Sequence, residues 1–243
     1  MKYMFFLLAV LVVFIFVQAL NTRRLILIGT ELAHRAVPYA RVNSEATFRI
    51  LVIGDSTAVG TGASEGMFSM AGRLATDFPQ ASIVNKGVNG MKTHQLVTVL
   101  EKIKNESYDL VVIHIGGNDI VRFTNLDQLS LDIQNVLKLT SGISKNVFLV
   151  TSGDVGTSKL LPLGTRWFFS YRTRRVRNIF ISATQDASAH YVDIYGGHQR
   201  TRDPYKEEPY VYYAADIFHP SDKGYENWYS FVREEFKKAN LIL

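Results

Sequence analysis

The chain of 243 residues, 47% of them apolar, is long enough for one sizeable α/β domain. Its 27 Lys+Arg against 22 Asp+Glu leave a net charge of +5, too dispersed to imply a nucleic-acid partner. It has no cysteine, which excludes disulfides, thiolate metal sites and a cysteine nucleophile.

From Met4 to Leu20 the sequence MFFLLAVLVVFIFVQAL carries no charge and one strongly polar residue, Gln18. That just reaches the roughly 17 to 25 residues of a membrane-spanning helix. Residues 1–21 are therefore read as a transmembrane anchor or signal segment, with Val17-Gln18-Ala19 suited to cleavage. Arg23, Arg24 and Arg35 follow it, and the positive-inside rule would hold what comes next in the cytoplasm. The secretory reading opposes that. We expect a membrane-anchored protein with its catalytic domain outside the cytoplasm, in the periplasm, and secretion after cleavage as the alternative. Residues 22–47 read as a polar, partly helical connector, and residues 48–243 as the domain proper.

From Phe48 onward the runs RILVIG, ASIVNKG, DLVVIHIGG, NVFLVTSG and HYVDIYGG alternate with segments of helical periodicity, such as Leu126, Leu129, Ile133, Val136 and Leu137. Short strands apolar on both faces, separated by helices, predict a doubly wound, three-layer sandwich around a parallel sheet. Ligands in such folds sit at the carboxyl ends of the strands.

The first strand end is Gly54-Asp55-Ser56. The following Gly60, Gly62 and Gly66 fit neither a dinucleotide fingerprint nor a P-loop. Ser56 at a strand-to-helix turn suits a nucleophile, yet Asp and Ser there are also ordinary cap residues. The second run leads to Gly90, either an amide donor to the crevice or a loop glycine of positive φ. The third ends in Gly117-Asn118-Asp119, where an Asn amide can donate to developing negative charge or simply make a turn.

Residues 216–224, DIFHPSDKG, tip the balance. Asp216 and His219, one helical turn apart ahead of a helix that Pro220 can open, suit a carboxylate that orients an imidazole base. A serine hydroxyl needs such a base at neutral pH. Activity is then expected to fall in acid, as histidine takes up a proton.

Through Gly54-Asp55-Ser56, Gly90, Gly117-Asn118-Asp119 and Asp216-x-x-His219-Pro220, in that order, residues 48 to about 237 resemble the GDSL esterase/lipase family, or SGNH hydrolases. The resemblance implies a flavodoxin-like sheet of order 2-1-3-4-5, Ser56 as nucleophile, and Asp216 and His219 completing a triad. It also implies an oxyanion hole of the Ser56 and Gly90 amides and the Asn118 side chain. Thr57 stands where the family usually has leucine. The implied reaction is hydrolysis of carboxylic esters, of lipase, lysophospholipase or thioesterase type. O-acyl transfer to, or deacetylation of, cell-envelope polysaccharide is the alternative. No cofactor or metal is implied: His34, His94, His114, His190 and His198 are scattered, and His114 is expected to be a hydrogen-bonded core residue.

Two further segments bear on substrate. Residues 166–178, RWFFSYRTRRVRN, read equally as a membrane-facing helix or as a surface helix with a solvated basic face. Residues 195–215 read as a long loop whose Tyr205, Tyr210, Tyr212 and Tyr213 either wall the acyl pocket or pin the loop to the domain.

Overall fold

The computed structural model describes residues 2–200 and 202–242; Thr201, within the expected loop, lies outside them. Five short strands form one parallel sheet: β1 (Arg49–Gly54), β2 (Ser82–Gly87), β3 (Leu110–His114), β4 (Val147–Val150) and β5 (His190–Val192). Their order is β2-β1-β3-β4-β5, as expected. Alternation along each strand feeds two cores. Ile50, Val52, Leu110, Val112 and Phe148 point to one face, and Leu51, Ile53, Val111, Ile113 and Leu149 to the other.

The first face is covered by α3 (Met70–Asp77) and α11 (Asp222–Lys238), through Leu74, Tyr225, Val232 and Phe236. The second is covered by α4 (Thr93–Ile103), α6 (Leu126–Ser141) and α7 (Arg166–Asp186), through Leu96, Ile133, Val136 and Phe180. The layers therefore stack as helix, sheet, helix.

Two segments add to or differ from the sequence reading. The apolar stretch and the first part of the partly helical connector form one unbroken helix, α1, from Lys2 to Arg35. Its first half is exposed all round, whereas Leu25 is buried against the domain. No Gly or Pro interrupts residues 2–28, so nothing in the chain ends the helix at the change of polarity. After it, Arg41 pairs with Ile83 at the sheet edge. The Arg41 guanidinium donates to the Ala75, Phe78 and Ala81 carbonyls, a cation at the C-terminal end of α3.

The expected loop at 195–215 is largely helical: α8 (Ile194–Arg200), α9 (Pro204–Glu207) and α10 (Pro209–Tyr212). Pro204 and Pro209 each sit at the start of their helix, and Asp203 caps α9 by accepting from the Tyr205 amide at 3.0 Å.

Candidate active site

Strand β1 closes on Gly54, and the chain turns at Asp55 into the short helix α2 (Ser56–Val59). Asp55 caps that helix: its Oδ1 accepts from the Thr57 amide at 2.9 Å and from Thr57 Oγ1 at 2.7 Å. Ser56 is thereby held at the first helical position, where an amide has no acceptor within its own helix. The threonine in place of the family's leucine adds the second of those bonds. Burial pushes the Asp55 carboxyl up from 3.8 to about 6, against the lowering effect of both Thr57 bonds.

Asp216 and His219 meet Ser56 from the other side. His219 Nδ1 lies 2.6 Å from Asp216 Oδ2, and His219 Nε2 lies 3.0 Å from Ser56 Oγ. The local geometry is a turn rather than the expected helical one. Asp216 Oδ1 accepts from the amides of Phe218 at 3.1 Å and His219 at 3.0 Å, and Ile217 takes a φ of +52°. This side-chain-to-backbone turn aims the imidazole, as Asp residues do when they bond amides two and three positions on. Pro220 does not open α11; Ser221 caps it, accepting from the Gly224 amide at 3.2 Å.

The two candidate donors lie in one groove with these three side chains. Ser56, Gly90, Asn118, Asp216 and His219 all line an open groove of about 400 Å³. Gly90 sits in the turn before α4 with φ +77°, a conformation that favours glycine. Asn118 is in the first turn of α5 (Gly117–Val121). Asp119 Oδ2 accepts from Thr93 N at 3.0 Å and Thr93 Oγ1 at 2.7 Å, which ties α5 to the head of α4. Arg122 Nη1 donates to the Gly90 carbonyl at 3.2 Å. Together these bonds fix the Gly90 turn relative to Asn118.

The sequence reading missed the opposite wall. Ile26, Gly29, Thr30 and Ala33 of α1 line the same groove. Asn89 Nδ2 donates to the Ala33 carbonyl at 2.9 Å, and Thr22 Oγ1 to the Leu160 carbonyl at 3.1 Å. A methyl group on Gly29 would stand 2.8 Å from Asp216 Oδ2, so this close approach requires glycine. The signal in the sequence was the apolar run LILIG at 25–29, which continues the helix past its arginines.

A second, narrower cavity of about 50 Å³ also reaches Ser56 and His219, with Val150 of β4, His198, Tyr205, Tyr213 and Trp228 in its lining. Tyr210, by contrast, is exposed. His114 is a buried core residue as expected, but neither ring nitrogen has a hydrogen-bond partner, and burial lowers it from 6.5 to about 3.

Helix α7 spends its arginines within the domain. Arg172 bonds the carbonyls of Ile120, Asp119 and Thr124, and Arg177 pairs with Asp193. Arg166 donates to the Leu161 carbonyl and Arg174 to Tyr195. Arg175 bonds Tyr171 of its own helix. Phe169 is buried, while Trp167 and Tyr171 are exposed. Among the described residues no group of three or more His, Asp or Glu side chains is placed to hold a metal ion.

A family model for the GDSL-like lipase/acylhydrolase family matches residues 52–226. The chain belongs to that family. As a GDSL/SGNH hydrolase it is an ester-hydrolysing enzyme. Comparison with curated proteins finds no match. Solved structures share the fold. A lipase/acylhydrolase from Enterococcus faecalis superposes with a TM-score of 0.60 at 20% identity, covering 79% of this chain and 97% of that one. A lipolytic G-D-S-L family member from Veillonella parvula gives 0.62 at 14%, covering 79% and 99%. An acetylxylan esterase from Geobacillus stearothermophilus gives 0.55 at 24%, covering 78% and 94%.

Proposed function

We propose that this GDSL hydrolase cleaves carboxylic esters through an acyl-enzyme on Ser56. The observation that carries the reading is the 3.0 Å approach of His219 Nε2 to Ser56 Oγ, with Asp216 bonded behind the imidazole at 2.6 Å. Ser56 Oγ attacks the ester carbonyl carbon as its proton passes to His219 Nε2. Buried Asp216 holds the imidazole in orientation and stabilises the imidazolium. The oxyanion takes hydrogen bonds from the Ser56 and Gly90 amides and from Asn118 Nδ2. His219 returns the proton to the leaving oxygen, the alcohol departs, and water activated by the same histidine releases the acid. Lipid esters, lysophospholipids and thioesters are the substrate classes in view.

The apolar half of α1 is proposed to anchor the enzyme in a membrane. Its support is an all-round exposed stretch from Tyr3 to Val17, in a helix with an 18-residue window of mean hydropathy 2.7, a surface that water does not favour. The groove and the anchor then share one helix.

The test is a panel of p-nitrophenyl esters hydrolysed by the full chain in detergent micelles, beside Ser56→Ala. Wild type turning over at least one ester, with the variant reduced by about 10³-fold or more, is the expected result; equal inactivity of both would overturn the reading. Repeating the assay with a sugar acceptor separates hydrolysis from acyl transfer by its products. Carbonate extraction of membranes, with N-terminal sequencing of the mature chain, distinguishes an anchored protein from a cleaved one.

A further inference from the structure

Between Lys2 and Arg23 helix α1 carries no charge, a span of about 32 Å along the helix axis against the roughly 30 Å of a bilayer's hydrocarbon core. The domain first touches α1 near the end of that span. Leu163 N donates to Gln18 Oε1 at 3.4 Å, and Thr22 Oγ1 to the Leu160 carbonyl at 3.1 Å. At this level lies an open pocket of about 420 Å³ with a predominantly polar wall, which includes Gln18, Asn21, Arg24, Lys159, Arg166 and Tyr210. Three cations share it, and no Asp or Glu stands among its lining residues. Among the described residues none of the three cations forms an ion pair. Lys159 Nζ stands 4.4 Å from the centre of the Tyr210 ring. Arg166 donates through Nε to the Leu161 carbonyl at 3.2 Å, which leaves both Nη groups to donate elsewhere. Cations gathered without a carboxylate repel one another, and an anion between them removes that repulsion.

We propose that this pocket binds the phosphate of an anionic membrane lipid, held by Arg24, Lys159 and Arg166, and so seats the domain on the bilayer that α1 enters. The proposal rests on the anchor reading and adds a headgroup site to it. Phosphate is the favoured anion, because a guanidinium donates paired N–H bonds to its oxygens and an ammonium adds a compact charge. Height favours a lipid as its source. Gln18 and Arg24 are about 9 Å apart along the helix, comparable with the roughly 5 to 8 Å of headgroup layer outside each side of the core. The rim suits the same level: Leu163 and Tyr210 are exposed there, and tyrosine is enriched where membrane meets water. The catalytic groove is the next space along α1. Lys159 and Ile217 line the pocket, whereas their chain neighbours Leu160, Asp216 and Phe218 line the groove. Gly29, which stands against Asp216, is about 9 Å beyond Arg23 along the helix. A domain seated in this way opens its groove at the surface of the same leaflet.

Native mass spectrometry of the full chain in uncharged dodecyl maltoside micelles counts the lipid it retains. Phosphatidylglycerol is expected to bind at least tenfold more tightly than diacylglycerol of the same chains, which lacks the phosphate. Arg24→Gln, Lys159→Gln and Arg166→Gln should each weaken phosphatidylglycerol about fivefold and leave diacylglycerol unchanged. Arg175→Gln, at an exposed arginine of α7 outside the pocket, should change neither. Lys159→Arg keeps the charge and should keep wild-type affinity, which separates loss of charge from loss of fold. Equal retention of the two lipids, or a loss at Arg175 as large as those in the pocket, would overturn the site. Displacement of the lipid by an equimolar amount of glycerol 3-phosphate would give the pocket to a soluble phosphate ester and overturn the docking role. Carbonate extraction decides the anchor separately: release of the uncleaved chain from membranes overturns the anchor reading, while the micelle preference still decides the phosphate site.

Discussion

Gly29 of the N-terminal helix stands against Asp216 so closely that a single methyl group on it would reach within 2.8 Å of Oδ2. The carboxylate that backs His219 is thus covered by the helix that also bears the exposed apolar stretch. Gly29→Leu is expected to push on Asp216 and lower kcat by about 10²-fold or more, short of the about 10⁴-fold loss known for a mis-set triad carboxylate. Deleting residues 2–19 should leave kcat within a few-fold, whereas deleting 2–35 should abolish activity by uncovering Asp216. Full activity in the longer deletion would sink the idea that α1 is a wall of the site.

Asn118 offers a test of the oxyanion hole. Asn118→Ala removes one of the three proposed donors and should cost about 10² to 10³ in kcat, with KM little changed, since the proposed donor acts on the transition state. A rise in KM alone would place Asn118 in substrate binding instead.

Asp55 links the site to stability. Its carboxyl is raised by burial from 3.8 to about 6, so the folded state binds its proton more tightly than the unfolded state does. The stabilisation this confers is full below about pH 3.8 and is lost as pH rises through 6, a change of about 2 to 3 kcal/mol. Asp55→Asn keeps a good capping side chain and removes the ionisation. Urea unfolding in micelles should find the variant more stable than wild type at pH 8 and no more stable at pH 4.

His114 has the opposite sign. Burial lowers it from 6.5 to about 3, so its contribution is present above pH 6.5 and falls away as pH drops toward 3, by about 4 to 5 kcal/mol in all. Between pH 4 and 6 it largely offsets Asp55. His114→Leu should gain on wild type progressively as pH falls from 7 to 4; a constant difference across that range would mean that His114 does not titrate.

Chain pattern alone was enough for the layers: five apolar runs separated by helical periodicity require a sheet covered on both faces. The order β2-β1-β3-β4-β5 was implied by the family resemblance, because apolar runs do not say which strands are neighbours. The site blocks were legible for the same reason: strand ends are where the polar residues Ser56 and Asn118 interrupt apolar sequence, and the Asp216–His219 spacing is local.

Relations between distant segments were not legible. Local pattern shows neither that Gly29 meets Asp216 nor that His198, Tyr205 and Trp228 converge on one cavity, because those contacts are set by how helices dock on the sheet. It also misread 195–215, where short capped helices carry little periodicity. The sequence by itself determined which groups stand at the strand ends and so which chemistry is available. Only the tertiary structure decided what surrounds them, because burial and an unpartnered polar atom are properties of packing between elements, not of any single stretch of chain.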